Sequence, residues 1–262
     1  MLFLLTGDVQ IGKTRWLERL CADLANAGVC VAGVVAPGQW VPRPEGEPGG
    51  RHGLDGAGRF EKLGIDNVLL PQGERIEFAR RRDLASAGQA FAEGSQAKAA
   101  QLGWAISDEA IAQVNQHFAE LAKAAKMEQG SYSLDASQTL TTTESSAIEQ
   151  PHPAHQASEC TEMAKGRDVA SDSADIPRIA PGSFLVVDEL GRLELLRGCG
   201  LTNAVTLLDA GPTPTFPHAL AVVRETLLDE AVRRFAPAWD KPHPLAPDDE
   251  ARELVLNAFE AR

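Results

Sequence analysis

Lys13 and Thr14 end a glycine-flanked segment whose spacing can hold a chain of phosphates. The segment Gly7–Thr14 reads G-D-V-Q-I-G-K-T and satisfies the pattern G-x-x-x-x-G-K-[ST]. Glycines at both ends let the backbone curl so that successive N–H groups point at phosphate oxygens. Lys13 is then expected to reach the β and γ phosphates, and the Thr14 hydroxyl is placed to bind Mg²⁺. The predicted nucleotide-binding residues are those of the segment: Gly7, Asp8, Val9, Gln10, Ile11, Gly12, Lys13 and Thr14.

Two carboxylates follow an apolar run much later in the chain. Phe184–Val187 is apolar and is followed directly by Asp188 and Glu189, which is the form of a Walker B strand. Asp188 is predicted to hold the metal, directly or through water, and Glu189 to orient and polarise the attacking water. Either carboxylate alone would be interpreted as the solvated end of a strand. Together with the first segment, they indicate nucleotide hydrolysis.

Two arginines follow the ends of predicted strands and could act at the same site. Arg192 follows Asp188 by four residues, and it could stabilise charge in the transition state as an arginine finger does. The alternative is a surface arginine paired with Glu194 or another carboxylate, and the sequence leaves both open. Arg224 ends another predicted strand and could contact the nucleotide for positional reasons.

These residues must be positioned by alternating strands and helices. Leu2–Thr6 is a short apolar run typical of a parallel strand that is buried on both faces. Thr14–Ala27 has apolar residues at helical spacing, and Val29–Val35 predicts a second buried strand. Phe184–Val187 would be a third. Further elements are predicted at Leu201–Ala210 (helix), Ala219–Val223 (strand), Leu227–Phe235 (helix) and a helical tail from Asp248.

The middle of the chain carries insertions into this alternation. Gly38–Gly58 is rich in Gly, Pro and charges and predicts a surface loop or ragged hairpin, while Asn67–Leu70 and Glu74–Ala79 predict a β-hairpin around Pro71-Gln72-Gly73. Ser107 can cap a helix with the apolar stripe Ala110, Ile111, Val114, Phe118 and Leu121, which is expected to end near Lys126. The polar composition of 127–176 predicts a disordered insert. One domain would thus comprise 1–126 and 177–262, with the insert between them.

The two motifs resemble a known family. Thr6 through Thr14, taken with the string Asp188–Leu195 that reads D-E-L-G-R-L-E-L, is similar to the small P-loop nucleoside-triphosphatase family known from thermophiles and as the cancer-related nucleoside-triphosphatase. The resemblance extends loosely from Met1 to about Phe235, apart from the insert. It implies a P-loop NTPase-like α/β fold, with a mostly parallel sheet and helices on both faces. It also implies slow Mg²⁺-dependent hydrolysis of ATP, GTP and other nucleoside triphosphates.

Composition excludes several other functions. The formal net charge of −12 provides no long-range field for nucleic acid or an anionic membrane, so any phosphate must be held by a local site. Four cysteines without a C-x-x-C pair favour a reducing compartment, and the short apolar N-terminus is neither a signal nor a membrane span, so we expect a cytoplasmic protein. The pair His152/His155 lies in the predicted insert without further ligands, and is interpreted as a solvated tract.

Two other features are given no binding role. The run Arg80–Arg82 is interpreted as a solvated turn with local acidic partners rather than a nucleic-acid site. Trp40 and Trp104 are interpreted as isolated aromatics that offer no platform for base stacking.

Three functions remain open at this point. The first is a nucleoside triphosphatase with low base selectivity, since Val222-Val223-Arg224-Glu225 stands where a guanine-reading N-K-x-D would be expected. The second is a nucleotide-gated regulatory protein that docks a partner through the insert or the Gly38–Gly58 loop. The third is a small-molecule kinase, because P-loops also serve transfer of phosphate to an acceptor.

Overall fold

A computed structural model describes residues 1–43, 59–85, 94–99, 103–138 and 179–260. Within them, one sheet contains nine strands. In chain order the strands are β1 (Leu2–Leu5), β2 (Val31–Val35), β3 (Gly38–Pro42), β4 (Phe60–Leu70), β5 (Glu74–Arg81), β6 (Trp104–Ile106), β7 (Phe184–Leu190), β8 (His218–Val223) and β9 (His243–Leu245).

Helices connect these strands and cover the sheet. They are α1 (Lys13–Asn26), α2 (Arg82–Ala85), α3 (Ser95–Ala99), α4 (Asp108–Gln138), α5 (Arg192–Arg197), α6 (Thr202–Asp209), α7 (Leu228–Trp239) and α8 (Asp249–Glu260), with a short 3₁₀ turn at Glu225–Leu227. None of these helices combines the length and the hydropathy that crossing a bilayer requires.

The parallel half of the sheet has the order β2-β7-β8-β1-β9. Every neighbouring pair in it runs parallel. All residues of β1 and β2 are buried, as expected for parallel strands covered on both faces. β8 lies between β1 and β7 and runs parallel to both. The loop after β1 and the end of β7 therefore lie at the same edge of the sheet, one on each side of β8.

The other half of the sheet is antiparallel, so the expectation of a mostly parallel sheet is wrong there. Strand β2 pairs antiparallel with β4, which also pairs with β3 and β5, and β5 pairs with β6. β4 and β5 are joined directly by Pro71–Gly73, and a connection that short can only reverse the chain. This antiparallel half extends the sheet past β2 and forms one wall of the cleft described below.

Two apolar cores lie on opposite faces of the sheet. One contains buried side chains of α4, α6 and α7, and the other contains those of α1 and α8. In α1 the buried residues are Trp16, Leu17, Leu20 and Leu24, which lie on one helical face. The sheet therefore has helices on both faces, as the alternation of strands and helices predicts.

Helix α4 begins as the sequence predicts but ends later. The Ala110 amide donates to the Ser107 hydroxyl at 3.2 Å, and the predicted apolar stripe through Leu121 is buried. The helix continues beyond Lys126 to Gln138, so the expected end is wrong. Several residues with high helix propensity follow Lys126, so the polar composition of this segment did not predict where the helix ends. The remainder of the predicted insert, 139–176, lies outside the described residues.

Candidate functional site

A cleft of about 1020 Å³ opens at the carboxyl-terminal edge of the parallel strands. The loop before α1 lines it, as do the ends of β7 and β8 and residues of β3, β4 and β6. In open α/β sheets, ligands bind outside the carboxyl ends of the strands, so this is the expected place for a site. The cleft is also where the two sequence motifs meet.

The loop between β1 and α1 is held in a tight curl. Gly7, Gln10 and Gly12 have positive φ angles of 133°, 68° and 94°. The Lys13 ammonium donates to the carbonyl oxygens of Gly7 and Asp8, both at 2.7 Å, and so closes the loop from inside. Glycine at the first and last of these positions suits the curl, because other residues rarely adopt such angles.

The structure brings most of the predicted loop residues to the cleft. The lining residues from this loop are Val9, Gln10, Gly12, Lys13 and Thr14.

The other three loop residues are not part of the lining. Gly7 carries the carbonyl that Lys13 contacts, and Ile11 and Asp8 are exposed. The exposure of Asp8 also explains how a negative charge is tolerated in a loop that is expected to bind anions, because its carboxylate is turned to solvent.

Asp188 lies buried at the base of the cleft. Its Oδ2 accepts a hydrogen bond from the Ala36 amide at 3.0 Å. Burial raises the pKa of Asp188 to about 6, although the Ala36 amide and a hydrogen bond from the Thr14 hydroxyl act in the opposite direction. The two predicted metal-binding residues, Thr14 and Asp188, therefore lie near each other, and both line the cleft.

Glu189 reaches the same cleft through an irregularity in β7. Asp188 pairs with Val222 and Leu190 with Val223, so Glu189 is an extra residue in the register. Side chains alternate between faces along a regular strand, and a bulge of this kind re-aims the extra side chain. Both Asp188 and Glu189 consequently line the cleft.

A cation at the end of β8 holds Glu189. The Arg224 Nε donates to Glu189 Oε1 at 2.6 Å, and this carboxylate is the main reason that the pKa of Arg224 is raised. Arg224 thus lines the cleft, as its position at a strand end suggests, and contacts the residue predicted to position water.

Lys13 shares this electrostatic environment. Desolvation lowers the pKa of Lys13, whereas the negative charges of Glu189 and Asp188 act to raise it. Residues from the two ends of the chain therefore form one charged group around the cleft.

Residues of the antiparallel half were missed by the sequence analysis. Trp40 and Trp104 line the cleft on either side of Lys62, whose Nζ lies 5.9 Å from the centroid of the Trp40 ring and 5.6 Å from that of Trp104. The interpretation of the two tryptophans as isolated is wrong, because sheet pairing brings β3, β4 and β6 together. No short-range spacing in the sequence signals this contact.

The structure places Arg81 in the cleft lining but not Arg192. Arg81 lines the cleft and pairs with Glu61 and Asp83, which agrees with the acidic partners predicted for the arginine run. The predicted solvated turn is wrong, because Arg80 and Arg81 belong to β5 and Arg82 begins α2. Arg192 is exposed at the start of α5 and is not part of the cleft lining, so the structure does not bring this candidate arginine finger to the site.

Glu194, in the same string as Asp188, has a structural role. Its carboxylate is buried and accepts hydrogen bonds from the Gly191 amide at 2.9 Å and the Leu201 amide at 3.0 Å. It therefore ties the start of α5 to the start of α6. It is not available to pair with Arg192 at the surface.

Comparison with known proteins gives one distant likeness. No family model and no curated protein matches the chain. Among solved structures, the chain is similar to the solution structure of a human cancer-related nucleoside triphosphatase, with 16% identity and a TM-score of 0.45. The match covers 99% of this chain and 95% of that chain.

The donor set fits a divalent cation that is bound together with a ligand. Thr14 and Asp188 offer a hydroxyl and a carboxylate, which are hard oxygen donors of the kind that Mg²⁺ prefers. Within the described parts of the chain there is no cluster of three or more His, Cys, Asp or Glu side chains able to hold a metal ion. Mg²⁺ needs only one or two protein oxygens when phosphates complete its shell, so the pair is sufficient for that ion.

Proposed function

We propose that the protein hydrolyses nucleoside triphosphates to the diphosphate and phosphate in a Mg²⁺-dependent reaction. The observation that carries this proposal is the meeting of Thr14 with Asp188 in a cleft that Lys13 and Glu189 also line. These are the groups that phosphoryl transfer needs: a cradle and cation for the phosphates, oxygen ligands for the metal, and a carboxylate for the nucleophile.

The loop and Lys13 would hold the phosphate chain. Lys13 now donates to the Gly7 and Asp8 carbonyls and would turn its ammonium to the phosphates when a nucleotide binds. Thr14 and Asp188 would hold Mg²⁺, which neutralises charge on the phosphate oxygens. The contribution of these groups is mainly positioning and electrostatic stabilisation.

Glu189 would position the water. Its carboxylate accepts a proton from the water as the water oxygen bonds to the γ phosphorus, and the bond from that phosphorus to the bridging oxygen breaks. The β phosphate leaves as part of the diphosphate. The pair with Arg224 fixes the Glu189 carboxylate within the cleft lining.

Base selectivity is expected to be low. β8 ends in Val222-Val223 and is followed by Arg224, which contacts Glu189 and is not an N-K-x-D reader of guanine. ATP, GTP, CTP and UTP should therefore be hydrolysed at comparable rates.

The test measures phosphate release from the four nucleoside triphosphates, with and without Mg²⁺. We expect Lys13→Ala to abolish nucleotide binding and turnover, and Glu189→Gln to bind nucleotide but lose about 100-fold or more in kcat. Arg75→Gln is a matched control, because Arg75 is an exposed cation of the β4–β5 hairpin that pairs with Asp66 outside the cleft lining. Parent-like turnover by Lys13→Ala would remove the proposal. Nucleotide binding by the parent protein without phosphate release would favour a nucleotide-gated regulator instead.

A small-molecule kinase is the second candidate. The cleft of about 1020 Å³ is lined by Trp40 and Trp104 as well as by Glu189, and an acceptor bound in it would lie beside the nucleotide. Transfer to an acceptor would appear as a phosphorylated product in place of free phosphate. A protein partner bound through 127–176 remains a separate hypothesis, most of which concerns residues outside the described part of the chain.

A further inference from the structure

Lys62 projects from the antiparallel half of the sheet into the cleft. It belongs to β4 and is half-buried. Desolvation lowers the pKa of Lys62, and the charges that act to raise it most are those of Glu189 and Asp188. Lys62 on β4, and Asp188 and Glu189 at the end of β7, all line this cleft.

No carboxylate in the described part of the chain forms an ion pair with Lys62. Among the residues described by the structure, Lys62 makes no hydrogen bond and no ion pair, and its contacts are with the rings of Trp40 and Trp104. Aromatic faces attract a cation through their quadrupole but leave its positive charge available. A half-buried ammonium held in this way is suited to bind an anion that enters the cleft.

Gly38 makes room for this arrangement. A Cβ atom at Gly38 would lie 2.6 Å from Lys62 Cε and 2.6 Å from Trp40 Nε1. Both distances are far shorter than van der Waals contact, so any larger residue would displace the Lys62 side chain or the ring. The position of Lys62 thus depends on three strands, with Gly38 and Trp40 on β3, Lys62 on β4 and Trp104 on β6.

We propose that Lys62 binds the terminal phosphate of the nucleoside triphosphate, opposite Lys13. This inference rests on the proposed function and adds a phosphate-binding residue that neither motif contains. Glu189 would mark the γ-phosphate end of the site because it would orient the attacking water, and Lys62 lines the same cleft as Glu189 and Lys13. Lys13 from the loop and Lys62 from the hairpin would then hold the terminal phosphate from two sides as negative charge develops on it.

The test compares ATP with ADP, because only ATP carries the terminal phosphate. Dissociation constants are measured by calorimetry with Mg²⁺ in a Glu189→Gln background, so that ATP stays intact, with and without Lys62→Gln. We expect Lys62→Gln to weaken ATP binding by about 10- to 100-fold and ADP binding by less than about twofold. With Glu189 intact, kcat should fall by about 100-fold or more, and Lys62→Arg should restore most of both losses.

Two further variants keep the result interpretable. Gly38→Ala retains the Lys62 charge but displaces the Lys62 side chain or the Trp40 ring that it contacts, so it should weaken ATP binding more than ADP binding even if Lys62→Gln folds poorly. Arg75→Gln removes a cation of the same hairpin outside the cleft lining and should leave the ATP/ADP ratio unchanged. Circular dichroism of each variant reports whether the fold is intact.

Equal weakening of ATP and ADP, or unchanged ATP affinity and kcat in Lys62→Gln and Gly38→Ala, would overturn the role of Lys62. Such a result would leave the proposed function standing if the parent protein still releases phosphate. If the parent protein binds no nucleoside triphosphate at all, the proposed function and the role of Lys62 both fail.

Discussion

Replacing Asp188 with asparagine is expected to stabilise the protein at neutral pH, although it removes a proposed metal ligand. Asp188 is 3% exposed, and burial raises its pKa from the usual 3.8 to about 6. The neighbouring Glu189 adds to this rise, while the Ala36 amide and the Thr14 hydroxyl offset only part of it. At neutral pH the folded protein therefore carries a charge that its surroundings disfavour.

The magnitude follows from the pKa. One pKa unit corresponds to about 1.4 kcal/mol, so a rise from 3.8 to about 6 corresponds to at most about 3 kcal/mol in the free energy of unfolding. The folded state binds this proton more tightly than the unfolded chain does. The contribution of Asp188 to the free energy of unfolding is therefore most favourable below pH 3.8, and it is lost as the pH rises to about 6. Asparagine has no such dependence, and its amide oxygen can still accept from Ala36.

The assay is urea unfolding of both proteins at about pH 4 and about pH 8, with EDTA and without nucleotide. At the higher pH, Asp188→Asn should be the more stable protein by up to about 3 kcal/mol, or roughly 6–12 °C in Tm. Near pH 4 the difference should be much smaller. Asp209→Asn is a control for loss of a carboxylate, because Asp209 pairs with Arg234 at the surface at 2.7 Å, and such pairs contribute about 0–1 kcal/mol.

Two outcomes would refute this reasoning. Asp188→Asn could be less stable than the parent at pH 8, or the difference between the two proteins could be the same at both pH values. Either result would mean that the buried charge of Asp188 does not lower the free energy of unfolding. Mg²⁺ and ATP should reduce the advantage of Asp188→Asn, since a ligand that binds the folded parent protein stabilises it by mass action.

Two other substitutions test contacts outside the cleft. Gly33→Ala should cost at least about 3 kcal/mol or prevent folding, because Gly33 has a φ of 124° and an added Cβ would lie 1.9 Å from the Val186 carbonyl oxygen; a parent-like urea midpoint would contradict this. Glu194→Ala should cost about 2–4 kcal/mol by leaving the amides of Gly191 and Leu201 without an acceptor. Urea unfolding measures that loss, and a change below about 0.5 kcal/mol would show that water replaces the carboxylate.

The sequence predicts those parts of the site that are formed by residues close together in the chain. The loop containing Lys13 and Thr14 follows a buried strand and precedes a helix, and that order alone predicts their position at the carboxyl edge of a sheet. The same reasoning places Asp188 at the end of β7. The sequence could not predict the bulge at Glu189. In a regular strand, side chains alternate between faces, so Asp188 and Glu189 would point to opposite faces of the sheet.

The antiparallel wall of the cleft could not be predicted for a related reason. The contact of Lys62 with Trp40 and Trp104 depends on the pairing of β4 with β3 and, through β5, with β6. Both pairings that β4 makes with β3 and β5 contain a shift in register, and a one-residue change in register would turn a side chain to the other face. The sequence spacing of Lys62 and the tryptophans carries no information about such shifts.

The division of the sheet into two halves has a consequence for the charge of the site. The net charge of −12 does not attract a triphosphate, and interactions with distant carboxylates are screened beyond about 8 Å at physiological salt. Affinity must therefore come from cations inside the cleft, where the dielectric is lower and screening is weaker. The parallel half contributes Lys13, Arg15 and Arg224, but Arg15 is exposed, Arg224 is paired with Glu189, and Asp188 adds a buried negative charge. If the chain binds a triphosphate as proposed, Lys62 on the antiparallel extension adds a half-buried cation to those of the parallel half.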